Sequence, residues 1–289
     1  MIIVRISDGL GNQLFQYAYA KMLKKNTKHK VYLDIRYINN EDKTDNPVRK
    51  KWIEKCDTRQ YRLNYYKISL MTAPEEKLIH WDKTPRSLFR KYCTELRLSH
   101  QICLIDNEAE REDNKWSLLH NYYLEGGFFN LNYLNDVRDI IAKEIVLKQE
   151  ELFPSELSDI IENEVSVSVH VRRGDFLNVG RNISESTYYK KAIDFIKQKV
   201  DNPFFIVFSD DMEWVRKNFL KEQNMIYADT FGLMDYEELI LMKKCKHNII
   251  ANSTFSYWGA WLNNNPNKIV ISPKGWRRKI IPDDWLTLW

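Results

Sequence analysis

The C-terminal half of this chain alternates between strand-like and helix-like patterns, and that alternation restricts the fold more than any other feature. The runs VSVSVHV, PFFIVF, NMIYA, HNIIA and KIVI are short, apolar and rich in β-branched or aromatic residues, with helical segments between them. Tyr189, Ala192, Ile193, Ile196 and Val200 form an apolar stripe at helical spacing. A further helix is expected from Asp235, with Glu238 three residues on as a capping box and Leu239 and Met242 turned inward. Parallel strands need long crossovers, so this order implies a parallel sheet with helices on both faces.

The N-terminus carries the same logic on a smaller scale. Ile2 to Ile6 reads as a strand, SDGLGNQ as a loop, Leu14, Ala18 and Met22 as one face of a helix, and VYLDI as the next strand. From about Arg36 to Lys115 the pattern breaks into charged and aromatic stretches, read as short helices and loops. NYYLEGG restores order, and a helix is expected near Leu131 to Val146. The expected architecture is therefore α/β, with two Rossmann-like domains of parallel sheet facing a cleft. Residues 1–155 form the first and 156–289 the second, joined through the acidic, Pro154-containing stretch 148–164.

Composition narrows the class. Across 289 residues, 44% are hydrophobic, enough for a large core, while no window approaches the ~18 apolar residues of a membrane span. The start, MIIVRISDGLGNQ, turns polar too soon for a signal peptide, so a cytoplasmic location is expected. Cys56, Cys93, Cys103 and Cys245 show no metal-ligand spacing and read as free thiols. A net charge of +4 spread along the chain argues against a nucleic-acid groove. It suits a phosphorylated substrate or an anionic membrane surface.

Three motifs follow three strands of the C-terminal half: HVRRGDF, SDD and NSTFSYWGAWL. In an open parallel sheet a ligand sits beyond the carboxyl ends of the strands, so the three should converge. Arg172 and Arg173 offer planar forks to phosphate oxygens. The helix starting near Phe255 presents unpaired N–H groups beside the Ser253 and Thr254 hydroxyls. Asp210 or Asp211 could accept two parallel N–H bonds from a guanine edge. Against these stand plainer readings: a salt-bridged turn for the arginines, a core histidine for His170, and core packing for Tyr257, Trp258 and Trp261.

The segment DGLGNQL imitates a dinucleotide fingerprint, with Asp34 as the acidic residue about twenty positions on, so an NAD-dependent enzyme is a rival. Its third glycine position is Leu14, however, and Asn12 and Gln13 put amides where bare backbone is wanted. A non-catalytic sugar-nucleotide-binding protein is the other alternative.

Together GLGNQLFQYAYA, HVRRGDF, FSDD and NSTFSYWGAWL resemble the motifs of the α-1,2-fucosyltransferases of glycosyltransferase family eleven, over residues 8 to about 262. HVRRGD is also similar to the wider fucosyltransferase group, so the resemblance supports fucose more strongly than linkage. It implies a GT-B fold, GDP-β-L-fucose as donor, a galactose-terminated glycan as acceptor, and inversion at the anomeric carbon. By the same resemblance Arg172 binds the leaving diphosphate. His170 and Asp210 or Asp211, with Ser209 between the strand and the acidic pair, hold the guanosine. Asn252, Ser253, Thr254 and Phe255 hold phosphates and base, and Asn12, with Gln13 beside it, reaches the β-phosphate. Arg173 and Asp175 brace the loop. The chain departs from the family pattern at Tyr257, where a second tryptophan is expected.

Breaking the sugar–phosphate bond places negative charge on the leaving oxygen, which a fixed cation stabilises. No Asp-x-Asp pair is present, so neither cofactor nor divalent metal is expected. Asp175 and Asp8 are both candidates to remove the acceptor proton. A lipid-linked acceptor would bring the enzyme to the inner membrane.

Overall fold

The computed structural model describes residues 1–38, 60–82, 101–105, 115–149, 153–178 and 180–288. These form two compact units, Met1–Ile145 and Val146–Trp289. Much of the stretch read as short helices and loops between Arg36 and Lys115, with Cys56 and Cys93, lies outside the described residues.

In the first unit β1 (Ile2–Arg5), α1 (Leu10–Asn26) and β2 (Val31–Asp34) make the expected βαβ, its strands parallel with Ile2 opposite Val31. Helix α2 (Glu75–Asp82) follows, then β3 (Gln101–Ile105) and β4 (Asn121–Glu125), and the all-parallel sheet runs β2-β1-β4-β3. β3 corrects the loop-and-helix reading of that region: QICLI is too short to show a period of its own. The helix expected from Leu131 to Val146 is two, α3 (Leu131–Asp136) and α4 (Arg138–Glu144), broken at Val137. A β-branched residue with φ −115° and ψ 13° lies outside helical geometry, and its buried side chain holds the break in place.

The second unit runs α5 (Ser155–Asn163), β5 (Val165–Val171), α6 (Tyr188–Lys199), β6 (Pro203–Ser209), α7 (Met212–Asn218), β7 (Met225–Tyr227), α8 (Asp235–Lys244), β8 (His247–Ile249), α9 (Thr254–Leu262), β9 (Val270–Pro273) and β10 (Leu286–Leu288). All its pairings are parallel, in the order β10-β9-β8-β5-β6-β7. The period of two in the strands divides the core. Val167, Val169 and Val171 of β5, with Phe205 and Val207 of β6, pack on one face against α6 and α7. Ile206 and Phe208 pack on the other against α5 and α8. Small polar residues of β5 join the ladder to its neighbours: Asn248 Nδ2 donates to Ser168 Oγ at 2.7 Å, and Asn263 Nδ2 donates to Asn248 Oδ1 at 2.8 Å. Tyr257 is wholly buried, and its hydroxyl donates to the Ile280 carbonyl at 2.8 Å.

One detail of the α8 reading needs correcting. The side chain that returns to the N-cap is Glu237, whose carboxylate accepts from Met234 N at 2.8 Å, and not Glu238. Helices α8 and α9 meet closely at Gly259, where an added Cβ would lie 2.6 Å from Met242 Cβ. Gly259→Ala should therefore cost about 1–3 kcal/mol through overpacking, read as a lowered thermal unfolding midpoint with no change in secondary structure.

Candidate functional site

The strand order of the second unit reverses between β5 and β8, because the chain moves from β5 outward through β6 and β7 and then returns to the other side of β5. Such a reversal opens a crevice at the carboxyl edge. HVRRGDF leaves β5 there, NSTF leaves β8 on one side, and SDD leaves β6 on the other.

The alternation of β5 and its register with β6 together dictate the charge pattern. Val171 pairs with Ser209, so continuing the register puts Arg172 opposite Asp210 and Arg173 opposite Asp211. Those are the ion pairs found: Arg172 Nη1 to Asp210 Oδ2 at 3.0 Å, and Arg173 Nε to Asp211 Oδ2 at 3.1 Å. Arg173 continues the face of Val171. It lies 3.7 Å over the Trp214 ring, donates to Ser184 Oγ at 2.6 Å and pairs with Glu185 at 3.0 Å. Arg172 continues the opposite face, that of His170, and also meets Asp175 at 2.5 Å. Asp210 Oδ1 accepts from Arg173 N at 2.8 Å, and Asp211 Oδ1 caps α7 by accepting from Trp214 N at 3.1 Å. Ser209 Oγ accepts from Asp211 N. Gly174 is required, since a Cβ there would run into Asp210 Oδ2.

His170 is 4% exposed and its ring centroid is 5.5 Å from that of Phe255. Among the described residues its Nδ1 has no hydrogen-bond partner, which distinguishes it from a satisfied core histidine. Burial, with the Arg172 charge added, pushes its pKa down to about 3, so the imidazole is neutral. Ser253 is the N-cap of α9, accepting from Phe255 N at 3.3 Å, and Thr254 opens the helix. Asn252 Nδ2 donates to the Arg181 carbonyl at 2.8 Å. His170, Arg172, Arg173, Ser209, Asp210, Asp211, Asn252, Ser253, Thr254 and Phe255 thus gather on one edge of one unit. Sequence reasoning did not single out Trp214, Ser184 and Glu185, which hold Arg173. The only available signal was Trp214 one turn after Asp211.

In the first unit the loop after β1 is held from within. Gln13 Nε2 donates to the carbonyls of Asp8 and Gln60, and Gln13 Oε1 accepts from Arg62 N. Gln16 bridges Ser7 and the Gly126 carbonyl. Asp8 takes φ +65°, a left-handed conformation strained for a residue with a side chain. Its Oδ2 accepts from Ser7 Oγ at 3.1 Å and from Asn12 Nδ2 at 3.4 Å. Asp34, the ribose-binding acid of the NAD reading, is 2% exposed. It is gripped by Arg36 at 2.8 Å and by the Tyr123 hydroxyl at 2.7 Å. Burial raises its pKa, but those hydrogen bonds outweigh burial and hold it below the ordinary value. Neither the bare backbone nor the free carboxylate that a dinucleotide needs is present.

Among the described residues no group of three or more His, Cys, Asp or Glu is placed to hold a metal ion, and no helix is long and apolar enough to cross a membrane. Among the described residues Cys103 and Cys245 form no disulfide.

These features define an enzyme of the glycosyltransferase class with a GT-B-like α/β fold. The model of glycosyl transferase family 11 matches residues 77–279, and the chain belongs to that family. It is 31% identical to the O-antigen biosynthesis glycosyltransferase WbnK of Escherichia coli, over 98% of this chain and 99% of that one. It is 30% identical to an alpha-1,2-colitosyltransferase of Escherichia coli, over 96% and 92% of the two chains. The fold is similar to that of NodZ alpha-1,6-fucosyltransferase co-crystallized with GDP, at a TM-score of 0.50, 14% identity and coverage of 89% and 90%.

The buried imidazole makes a pH prediction. Unfolded, His170 binds a proton below about 6.5, whereas the folded chain does not until about 3. The His170 contribution to stability should therefore fall as pH is lowered through that window and stay level above it. In His170→Gln the urea midpoint should lose less between about pH 7 and about pH 4.5 than in wild type.

Proposed function

We propose that this enzyme is an inverting α-1,2-fucosyltransferase that carries L-fucose from GDP-β-L-fucose to the 2-hydroxyl of a terminal β-galactoside in an oligosaccharide or surface polysaccharide. The observation that carries the reading is Arg172. It stands at the carboxyl end of β5, beside the reversal of strand order, with its guanidinium oriented by Asp210 and Asp175. There it meets the requirement for a preorganised cation where leaving-group charge develops. The N-terminus of α9 adds N–H donors and a favourable dipole for the same phosphates. Support for the donor class comes from NodZ, named as crystallised with GDP. Support for the linkage comes from the relative named an alpha-1,2-colitosyltransferase. The WbnK name supports a polysaccharide acceptor, and a lipid-linked one would bring the enzyme to a membrane surface.

In this scheme the second unit binds the donor and the first supplies the acceptor side. His170, neutral, serves the guanosine, and Ser253, Thr254 and Asn252 serve the phosphates. Asn12 keeps its assignment to the β-phosphate from the family pattern alone. Of the two candidate proton acceptors, Asp175 is paired with Arg172 at 2.5 Å. Asp8 accepts from the neutral Ser7 and Asn12 side chains on a left-handed backbone, and we assign it the role of base. Arg172 supplies the positive charge that a divalent ion would otherwise bring.

Colitose is fucose without its 3-hydroxyl, so the relative's name makes GDP-colitose the competing donor. Turnover with each donor and lactose, in EDTA, decides between them; faster use of GDP-colitose would replace the fucose assignment. Arg172→Ala should lower kcat about a hundred- to thousandfold, and full retention of activity would remove the central claim. Asp8→Asn, which tolerates the left-handed backbone, should lower kcat about a hundredfold or more while leaving GDP affinity unchanged. If Asp175→Asn shows that pattern instead, Asp175 is the base.

A further inference from the structure

The first sheet carries a reversal of its own. The chain leaves β1 for β2 on one side, then crosses to the far edge as β3 and lays β4 between β3 and β1. A crevice for a ligand therefore opens at the carboxyl ends of β1 and β4, where residues 6–9 and 126–129 leave the sheet. Asp8 stands in the first of these loops with φ +65°. A residue with a side chain keeps that angle only where its surroundings over-determine it. Two glutamines of α1 do so.

Gln13 is 0% exposed and Gln16 1%, although glutamine is rarely buried this completely. They bracket the Asp8 Cα, Gln16 holding the residue before it and Gln13 the carbonyl after it. Gln16 Oε1 accepts from Ser7 N at 2.8 Å, and Gln16 Nε2 donates to the Gly126 carbonyl at 3.1 Å, tying the two loops together across the reversal. Gln16 Nε2 also donates to Ser7 Oγ at 2.9 Å, and Ser7 Oγ donates to Asp8 Oδ2 at 3.1 Å. A hydroxyl has one hydrogen, so the amide on its oxygen leaves that hydrogen for the carboxylate. Gln13 Nε2 donates to the carbonyls of Asp8 and Gln60, both at 2.9 Å, and Gln13 Oε1 accepts from Arg62 N at 3.0 Å. Each clamp needs a donor and an acceptor on one short stem; a carboxylate only accepts, an ammonium only donates and a leucine does neither.

Resting on the assignment of Asp8 as base, we infer that Gln13 and Gln16 are positioning residues for the transfer step. They fix the direction of the Asp8 carboxylate, and Gln13 sets residues 60–62 against the same loop. The acceptor hydroxyl oxygen bonds to the anomeric carbon and its proton passes to Asp8. The bond from that carbon to the diphosphate oxygen breaks, and its electron pair leaves with the diphosphate. Neither glutamine touches the reacting atoms. With no exposed surface and its amide used three times, Gln13 reaches the reaction only through the backbone it holds, and Gln16 acts through Ser7.

The test is a double-mutant cycle: Gln13→Met and Gln16→Met, each made alone and together with Asp8→Asn, with kcat measured on GDP-fucose and lactose and GDP affinity by calorimetry. Alone, each should lower kcat roughly 10- to 100-fold and leave GDP affinity unchanged. In the Asp8→Asn chain neither should lower kcat further, because the group they position can no longer take a proton. A glutamine that only stabilises the fold would lower kcat by the same factor in both backgrounds, and that result would overturn the inference. So would full kcat in both single variants. Gln13→Glu and Gln16→Glu keep the length and an acceptor oxygen, and carry the same cycle wherever a methionine variant no longer binds GDP. Full kcat in Asp8→Asn itself would instead end the base assignment.

Discussion

The second unit is organised around two in-register ion pairs at the ends of adjacent parallel strands. β5 ends in two arginines and β6 in two aspartates, and a register that pairs Val171 with Ser209 sets the doublets side by side. Because consecutive strand residues point to opposite faces, the doublets cannot do one job twice. On the Val171 face it is the arginine that is sealed: Arg173 has 7% of its side chain exposed and is stacked on Trp214. On the His170 face Arg172 keeps 18% of its side chain exposed and its partner Asp210 24%. One arginine fixes the loop and the other is presented to whatever binds. This asymmetry follows from strand geometry, and it makes Arg173 a poor candidate for substrate contact despite its charge.

Glycine scarcity sharpens the same point. Gly174 lies between the arginines and Asp175 because the Asp210 carboxylate occupies the space of a side chain there. Gly259 lies under Met242 for an analogous reason one layer down. Both glycines are demanded by close approach rather than by unusual backbone angles. Gly180, Gly232 and Gly275 take left-handed angles, whereas at Asp8 the same conformation is held by a residue with a side chain.

What could be read in advance, and what could not, follows from how each element is buried. β5 and β6 are covered on both faces, so VSVSVHV and PFFIVF are near-continuous apolar runs and legible as such. β3 and β10 are edge strands of five and three residues, too short to establish a period, and neither was anticipated. The motif residues of the carboxyl edge were legible because arginine, aspartate and serine at strand ends are chemically conspicuous. Trp214 looked like any amphipathic helix residue until the stacking partner was known.

Electrostatic accounting bears on how such a site works. Arg172 and Arg173 bring two positive charges, while Asp175, Asp210, Asp211 and Glu185 bring four negative ones, so the edge has no net attraction for an anion as it stands. In the proposed scheme a diphosphate would displace a carboxylate from Arg172, and of its two partners Asp175 is more open to water than Asp210. Exchange of Asp175 for phosphate in that scheme would keep Arg172 paired throughout, with Asp210 still in place, and would avoid the desolvation cost of a lone cation. An arginine already held in place loses little further freedom on binding, so its interaction can be spent on charge that grows as the sugar departs.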